Sequence, residues 1–293
     1  MPDFRTLAVL LAATSAVSAG CSSVEPAKSA PLLGVRAQLA ANAPKKPGGL
    51  LPPVRVSKFV FYCDVPLDVN DPVFKELEEL PDQIQRELRL PLGNNIVQVY
   101  LFETQDKYEA YMRDRFSWLP VRRAYFITDP KRPGGAEDLQ VYTWLGEHLR
   151  TDLRHELTHA LLNGVLSNVP LWLDEGLAGF FEQPLSADGL NTEHLEKLRR
   201  GPFTADLTRL EGLKKVEDMK TGEYREAWAW VHFMLRGDTR ARQVLLDHLQ
   251  QLRKAPNAGS LTTSLRTALG AEPAGVLYEH LARTPMAVAA QAR

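Results

Sequence analysis

Two histidines and a glutamate stand within five residues of one another in the segment HELTH at residues 155–159. On a helix, residues four apart lie on one face, so the imidazoles of His155 and His159 can converge on one ion. The side chain of Glu156 points slightly further around the helix, where it can act as a base without binding the metal. The spacing therefore predicts a zinc site with two histidine ligands and Glu156 as general base.

The residues around this motif predict the helix that the motif requires. Leu149, Leu153, Leu157 and Leu161 recur with the period of a helix and form an apolar stripe, and a helix is expected over residues 147–163. The two histidines flank the stripe. Two structural histidines on an ordinary helix remain an alternative, so a third metal ligand is the feature that decides between the two interpretations.

A third ligand is available in the segment PLWLDEGLAGFFE at residues 170–182. A catalytic zinc has three protein ligands and an open fourth position. A short loop over residues 164–169 lets the next helix, which Pro170 is suited to begin, fold back beside the first. Gly176 and Gly179 leave a bare surface on which another helix can pack closely. We therefore predict Glu175 as the third ligand.

Asp174 and Glu182 are the competing carboxylates in that segment. Asp174 faces about 100° away from Glu175 on a helix, so we expect it either to steady a ligand histidine or to be solvated. Glu182 lies two turns further along the face of Glu175. The metzincin pattern is excluded, because its glycine and third histidine would stand at positions 162 and 165, which hold Leu and Val.

The pair HELTH and WLDEGLAGFFE resembles the gluzincin metallopeptidases, and most closely the peptidase MA-like family, over about residues 139–235. The resemblance implies a zinc-dependent peptidase with His155, His159 and Glu175 as Zn²⁺ ligands and Glu156 as base. It also implies a zincin-like fold and a peptide or protein substrate. Glu175 stands 16 positions after the second histidine, a slightly shorter spacing than in many gluzincins.

A later helix adds a further candidate for catalysis. The segment YREAWAWVHFML from Tyr224 is similar to the helix that follows the zinc helices in such peptidases. The phenol of Tyr224 is then a candidate to stabilise the oxyanion of the tetrahedral intermediate. The alternatives are that Tyr224 is an ordinary core residue or that His232 is the donor. The four histidines outside these segments, His148, His194, His248 and His280, are interpreted as surface or helix-face residues.

Composition and pattern bound the fold. The chain has 293 residues, two cysteines, 35 basic and 36 acidic residues and a net charge of -1. These figures exclude a disulfide scaffold and argue against nucleic acid as a partner. Strand patterns at 54–65, 96–102, 122–128 and 139–144 interleave with helices, whereas only helices are expected after residue 144. This predicts an α+β fold, with strand 139–144 as a sheet edge that pairs with an extended peptide.

The N-terminus predicts export. Residues 1–20 have the layout of a signal peptide, and Cys21 after Ala19-Gly20 resembles a bacterial lipobox. We expect a lipid anchor at Cys21 and a place in the cell envelope, periplasmic or on the outer face of a bacterial membrane. The alternative is conventional cleavage nearby. Residues 21–53 are predicted to be a flexible tether, and Cys63 a buried core residue.

The remaining boundaries follow from these patterns. A mixed α/β subdomain is predicted over 54–145, a helical zinc-binding subdomain over 146–284 and a tail over 285–293. Zinc-dependent hydrolysis of peptide bonds is the main hypothesis. The alternatives are a non-catalytic envelope lipoprotein whose zinc site is structural or vestigial, and a metal-dependent hydrolase of a non-peptide bond such as a cell-wall amide. The oligomeric state is left open.

Overall fold

The computed structural model describes residues 47–129 and 138–286. The predicted signal peptide, the lipobox cysteine Cys21 and most of the predicted tether lie outside these residues, as does most of the predicted tail. Within them the chain has the expected α+β architecture. A small mixed sheet occupies the first half and helices make up the second half.

The sheet has five strands in the order β1-β2-β3-β5-β4. Their bounds are Val54–Val56 (β1), Phe59–Cys63 (β2), Val97–Phe102 (β3), Tyr125–Asp129 (β4) and Asp138–Trp144 (β5). β2, β3 and β5 run parallel, whereas β1 and β4 pair antiparallel to their neighbours. The prediction that strand 139–144 forms the edge is wrong, because β5 lies between β3 and β4. The edge strand on this side is β4.

Two helices cover the sheet in the first half, α1 (Pro72–Leu88) and α2 (Gln105–Arg115). The side chains of Asp71 and Thr104 accept hydrogen bonds from backbone amides of the first turns of α1 and α2 and so cap these helices. Alternate residues of the strands face opposite sides of the sheet. One face, with Phe126 on β4, joins the large core, while the other, with Tyr125, packs beneath α2.

Only helices follow β5 in the described part of the chain. They are α3 (Leu149–Asn163), α4 (Leu171–Phe181), α5 (Thr192–Arg200), α6 (Leu207–Gly212), α7 (Thr221–Arg236), α8 (Thr239–Lys254), α9 (Leu261–Leu269) and α10 (Pro273–Arg283). The short helix α6 was not expected from the sequence. The others match the helices that the sequence predicts to within a few residues at each end, which is the usual uncertainty of helix termini. The predicted ranges are 147–163, 171–182, 192–199, 223–235, 239–252, 260–269 and 275–282.

α4 packs closely against α7, and one glycine allows this approach. A Cβ atom at position 176 would lie 2.6 Å from the carbonyl oxygen of Ala227 and 2.8 Å from Cγ2 of Val231. Any larger residue at Gly176 would therefore push the two helices apart. The glycine precedes no turn and has no special backbone conformation, so its value here is purely the space that it leaves.

Cys63 is buried in the core at the end of β2, as predicted, and burial raises the pKa of its thiol. His248 is buried on one face of α8, in agreement with the expectation that the remaining histidines are surface or helix-face residues. Among the described residues, no helix combines the length and the apolar character needed to cross a membrane.

Candidate metal centre

α3 carries the HELTH segment in the interior of the protein. Leu153 and Leu157 of the predicted stripe are fully buried and Leu161 is nearly so, and the helix packs against α4, β5 and α1. This packing holds the face that bears His155 and His159 toward α4. Their exposed fractions are only 5% and 0%, so the two imidazoles lie in a region from which bulk water is largely excluded.

Glu175 on α4 meets both histidines. Its Oε2 atom lies 3.5 Å from Nε2 of His155 and 3.8 Å from Nε2 of His159. One ligand atom from each of the three residues can be chosen so that all lie within 4.8 Å of one another. A tetrahedral zinc with bonds of about 2.0–2.1 Å holds its ligand atoms about 3.3–3.4 Å apart. The structure thus brings the three predicted ligands together at close to that spacing.

Each histidine also contacts a carboxylate on its other ring nitrogen. Nδ1 of His155 lies 2.9 Å from Oε2 of Glu182, and Nδ1 of His159 lies 3.0 Å from Oδ2 of Asp174. Such contacts orient the imidazole and fix the proton on Nδ1, which leaves Nε2 free to bind a metal. Asp174 therefore has the first of its two expected roles, that of steadying a ligand histidine.

The role of Glu182 was missed in the sequence, where it stood only as a competing ligand. Its Oε1 atom accepts a hydrogen bond from Nδ2 of Asn191 at 3.2 Å, while Oε2 holds His155. The available signal was its spacing of seven residues from Glu175, which places both carboxylates on the same side of α4. Both are accordingly directed at the same histidine, from opposite sides of its ring.

Several polar atoms at this centre are buried without a hydrogen-bonding partner among the described residues. Nδ1 of His159 and both oxygens of Asp174 are among them, although the two residues form an ion pair at 3.0 Å. The atoms that could serve coordination or catalysis are Nε2 of His155 and His159 and both carboxylate oxygens of Glu156 and Glu175. Leaving one such group unpaired costs about 1–3 kcal/mol, and more when the group is charged. A divalent cation with an accompanying water molecule would satisfy them together. The donor set, two imidazoles and a carboxylate, is one that zinc commonly takes.

Burial and mutual charge set the protonation of the centre. Burial raises the pKa of the carboxyls of Glu156 and Glu175. Burial alone would lower the pKa of His155, but the neighbouring carboxylates of Glu175 and Glu182 outweigh it and raise that pKa well above its usual value. The carboxylate of Asp174 does the same for His159 against the effect of burial. The metal-free centre therefore retains protons, which a bound cation would displace.

Tyr224, on α7, lies beside this centre. Burial, followed by the charge of Glu175, holds the pKa of its phenol above the ordinary value, and Glu156 adds to the effect. The phenol also has a side-chain hydrogen bond with Arg122. Since a guanidinium only donates, the phenol oxygen accepts that bond and its proton stays available for another acceptor.

Arg122 has no sequence signal that could have revealed it. It stands just before β4, far along the chain from the zinc helices, and reaches Tyr224 only through the tertiary fold. Its neighbour Arg123 points to α3 instead, where Nη2 donates to Oδ1 of the buried Asp152 at 2.8 Å. The two arginines thereby tie the start of β4 to α3 and to α7.

His232, the rival candidate for the oxyanion donor, lies in another cluster. Its Nδ1 atom is 2.9 Å from Nε2 of His280, and its ring packs against Phe180 and Trp228. Burial, followed by the positive potential of His280, lowers the pKa of His232 to about 3. The charges that act on it are those of His280, Arg236 and Asp188, and they do not include the residues of the metal centre.

No protein family model matches the chain, and no curated protein matches it. Among solved structures, the M1 zinc metallopeptidase from Deinococcus radiodurans is similar, with a TM-score of 0.45 and 16% identity over 81% of this chain and 52% of that one. A mutant of the same enzyme has a TM-score of 0.46 and 18% identity over 81% of this chain and 53% of that one. That mutant bound to the substrate Tyr-Ser-Ala has a TM-score of 0.43 and 17% identity over 81% of this chain and 52% of that one. The chain spans about half the length of these structures.

Proposed function

We propose that the protein is a zinc-dependent peptidase of the gluzincin type. The observation that carries this proposal is the meeting of His155, His159 and Glu175 in the interior, with their coordinating atoms unpartnered and Glu156 beside them. A structural zinc is usually closed by a fourth protein ligand, whereas the group found in the described part of the chain has three members. Glu156 would have no purpose at a purely structural site.

The residues of the chain divide the chemistry among them. Zinc, when bound, polarises the scissile carbonyl and lowers the pKa of a bound water toward about 7. Glu156 takes a proton from the attacking water and passes it to the leaving amine. Its burial, which raises the pKa of its carboxyl, suits it to hold that proton between the two steps. Tyr224 keeps its own proton and donates it in a hydrogen bond to the developing oxyanion.

The substrate is expected to lie along β4. As the last strand of the sheet order, β4 has one edge without a neighbouring strand in the described residues. Main-chain groups on such an edge pair with an extended peptide. β4 contacts α3, and Arg122 at its start reaches Tyr224. A peptide added to β4 would thus pass the metal centre with its carbonyl groups within reach of the proposed catalytic residues.

The test is a measurement of zinc content and of hydrolysis on the purified full-length protein. We expect one zinc per chain by mass spectrometry of the metal, and cleavage of a mixed peptide library. Glu156→Gln should retain the zinc and lose cleavage by about 10²–10⁴-fold. His155→Ala should lose both. If the protein binds no zinc, or if Glu156→Gln cleaves as fast as the unaltered protein, the proposal is wrong. Cleavage of a cell-wall amide but of no peptide would favour the third hypothesis.

We further propose that the protein is exported and anchored by a lipid on Cys21. The signal layout of residues 1–20 and the adjacent cysteine support this part of the proposal. Mass spectrometry of the mature N-terminus is expected to find an acylated Cys21. Cys21→Ser should move the protein from the membrane fraction to the soluble fraction of the envelope. A mature chain that begins elsewhere and carries no lipid would contradict this.

A further inference from the structure

A cavity of about 670 Å³ opens beside the metal centre. Phe126 and Thr128 of β4 form one wall, the C-terminal end of α3 with Asn163 a second, and the connection between α8 and α9 a third. Pockets that enclose small ligands have volumes of about 300–1,000 Å³. The cavity is therefore large enough for several residues of an extended peptide.

The cavity adjoins the metal centre, because two of its lining residues contact the predicted ligand His159 away from its Nε2 atom. Asp174 lines it and contacts Nδ1 of the ligand His159. Asn163 lines it and donates a hydrogen bond from Nδ2 to the carbonyl oxygen of the same histidine at 3.0 Å. The cavity also follows β4, the strand proposed to pair with the substrate. A peptide on β4 would thus leave the metal centre on the His159 side and enter the cavity.

The cavity wall includes a buried imidazole nitrogen that lacks a hydrogen-bonding partner among the described residues. His248 is 5% exposed, lines the cavity, and has no hydrogen-bonding partner for Nε2 among the described residues. Burial lowers the pKa of its imidazole, which is therefore neutral near pH 7. Lys214 lies exposed at the rim. A peptide supplies amide groups that can pair with a neutral imidazole, since such a ring offers one donor and one acceptor nitrogen.

The other acidic group of the cavity is already engaged. The carboxylate of Glu211 accepts hydrogen bonds from the backbone amide of Leu261 and from the hydroxyls of Ser260 and Thr262, and so caps the start of α9. Apolar side chains, among them Leu166 and Leu252, complete the wall. The wall thus combines apolar surface with a few polar groups able to bind a main chain, as peptide-binding sites do.

We propose that this cavity binds several residues of the polypeptide substrate on the His159 side of the scissile bond. This rests on the proposed peptidase function. It assigns His248 and the α8–α9 connection to substrate binding, and it makes extended polypeptides, rather than dipeptides or single terminal residues, the substrate class. Peptides too short to reach the cavity would lose its contacts and bind weakly.

Binding can be measured without turnover on the zinc-loaded Glu156→Gln full-length protein. The probes are acetylated, amidated peptide pools of random sequence, from two to about six residues long, and their retention is followed by equilibrium dialysis and mass spectrometry. We expect retention to rise by roughly tenfold or more with length. Adding Ala258→Trp, which fills the cavity from the α8–α9 connection, should remove most of that gain. Ala255→Trp, at the exposed end of α8 and outside the cavity wall, should keep it.

A second variant guards against a folding defect. His248→Phe keeps the shape of the ring and removes its nitrogens, so it should lower the gain with length while leaving the melting temperature close to that of the parent. Retention that does not depend on length, or equal retention by Ala258→Trp and Ala255→Trp, would overturn the proposal. Hydrolysis is scored separately on the unaltered protein. If peptides are cleaved but their retention does not rise with length, only the proposal for the cavity is refuted. If retention rises with length but no peptide is cleaved, only the peptidase function is refuted.

Discussion

The buried carboxylates of Glu226 and of the pair Glu156 and Glu175 are equally hidden from water, but they differ in whether the fold supplies hydrogen-bond donors to them. Glu226 on α7 is 2% exposed, and both of its oxygens are engaged. Oε1 accepts from the backbone amide of Asp206 at 2.6 Å and from Nε1 of Trp230 at 3.3 Å, while Oε2 accepts from Arg209. Glu156 and Glu175 are 0% and 2% exposed, and their four oxygens have no such partner among the described residues.

The difference separates a structural carboxylate from a functional one. Every donor that Glu226 needs is supplied by the fold, so its burial contributes to stability at modest cost. The fold supplies none to Glu156 and Glu175, and an uncompensated carboxylate in the interior is expensive. That expense is understandable only if a group from outside completes the site. Replacing one residue from each group therefore offers a direct test of the contrast.

The largest effect is expected from Glu175→Gln set against Glu226→Gln. Glu175→Gln removes a charged ligand, so zinc affinity should fall by more than the roughly 10–100-fold that follows loss of an outer partner, and hydrolysis should cease. Glu226→Gln should keep both and lower the free energy of unfolding by about 1–3 kcal/mol. Zinc titration and chemical denaturation measure the two quantities. If each variant produced the effect assigned to the other, the contrast would be wrong.

The next largest effect concerns Tyr224→Phe. Removing one oxyanion donor costs about 10²–10³ in kcat in other hydrolases. The same loss is expected here, with zinc content unchanged, because the phenol is not a ligand. Tyr278→Phe is the matched control, since its hydroxyl binds only the backbone of Phe203 and Ala205. Steady-state kinetics decide the question, and an unchanged kcat in Tyr224→Phe would show that Tyr224 is an ordinary core residue.

A smaller effect is expected from the carboxylates behind the histidines. Asp174→Asn and Glu182→Gln should each lower zinc affinity by about 10–100-fold without abolishing binding. Asp174→Asn should cost more, because its side chain is fully buried whereas that of Glu182 is 15% exposed. Competition with a zinc-binding dye measures both affinities. Affinities equal to that of the unaltered protein would show that neither carboxylate orients its histidine.

The smallest effect is the pH dependence of stability in the metal-free protein. The pKa values of His155, His159, Glu156 and Glu175 are all raised in the folded state. The folded protein therefore binds more protons than the unfolded chain, and its stability falls as pH rises. For the histidines this contribution is complete below their unfolded pKa of about 6.5 and is lost above it. The melting temperature should thus fall as the pH is raised above about 6.5.

The zinc-loaded protein provides the control for this measurement. Its ligand histidines are already deprotonated, so this decline should disappear. Histidines whose folded pKa is lowered take up protons only below about 6.5 and leave this window unaffected; they are His194, His232, His248 and His280. A metal-free melting temperature that rises through the window would contradict the charges assigned to the centre.

Much of the metal centre could be predicted because its chemistry is local. Helical spacing alone places His155, Glu156 and His159 on adjoining positions of one face, and a short loop leaves little freedom in where Glu175 arrives. The apolar stripe predicted the buried face of α3 for the same reason. Burial of Cys63 followed equally from its place in an alternating apolar strand. Each of these features depends on residues that are close in sequence.

The features that were missed depend on pairing between distant segments. β5 lies inside the sheet because β4 pairs with its outer side. The sequence of residues 139–144 is compatible with an edge strand and with a central strand, so it could not reveal this pairing. Arg122 meets Tyr224 only after the sheet and α7 have packed together. The helix α6 is six residues long, too short for its period to be recognised.

The close approach at Gly176 has a mechanical consequence. Because α4 contributes no side chain at Gly176 and lies directly against Ala227 and Val231 of α7, Glu175 and Tyr224 are carried by two closely packed helices, while His155 and His159 belong to α3. An ion held by all three ligands would act as a cross-link between α3 and this pair of helices. Its loss should leave α3 and the pair folded but free to slide against each other. Gly176→Ala, which spreads α4 from α7, would misalign the cross-link without altering any atom that binds it.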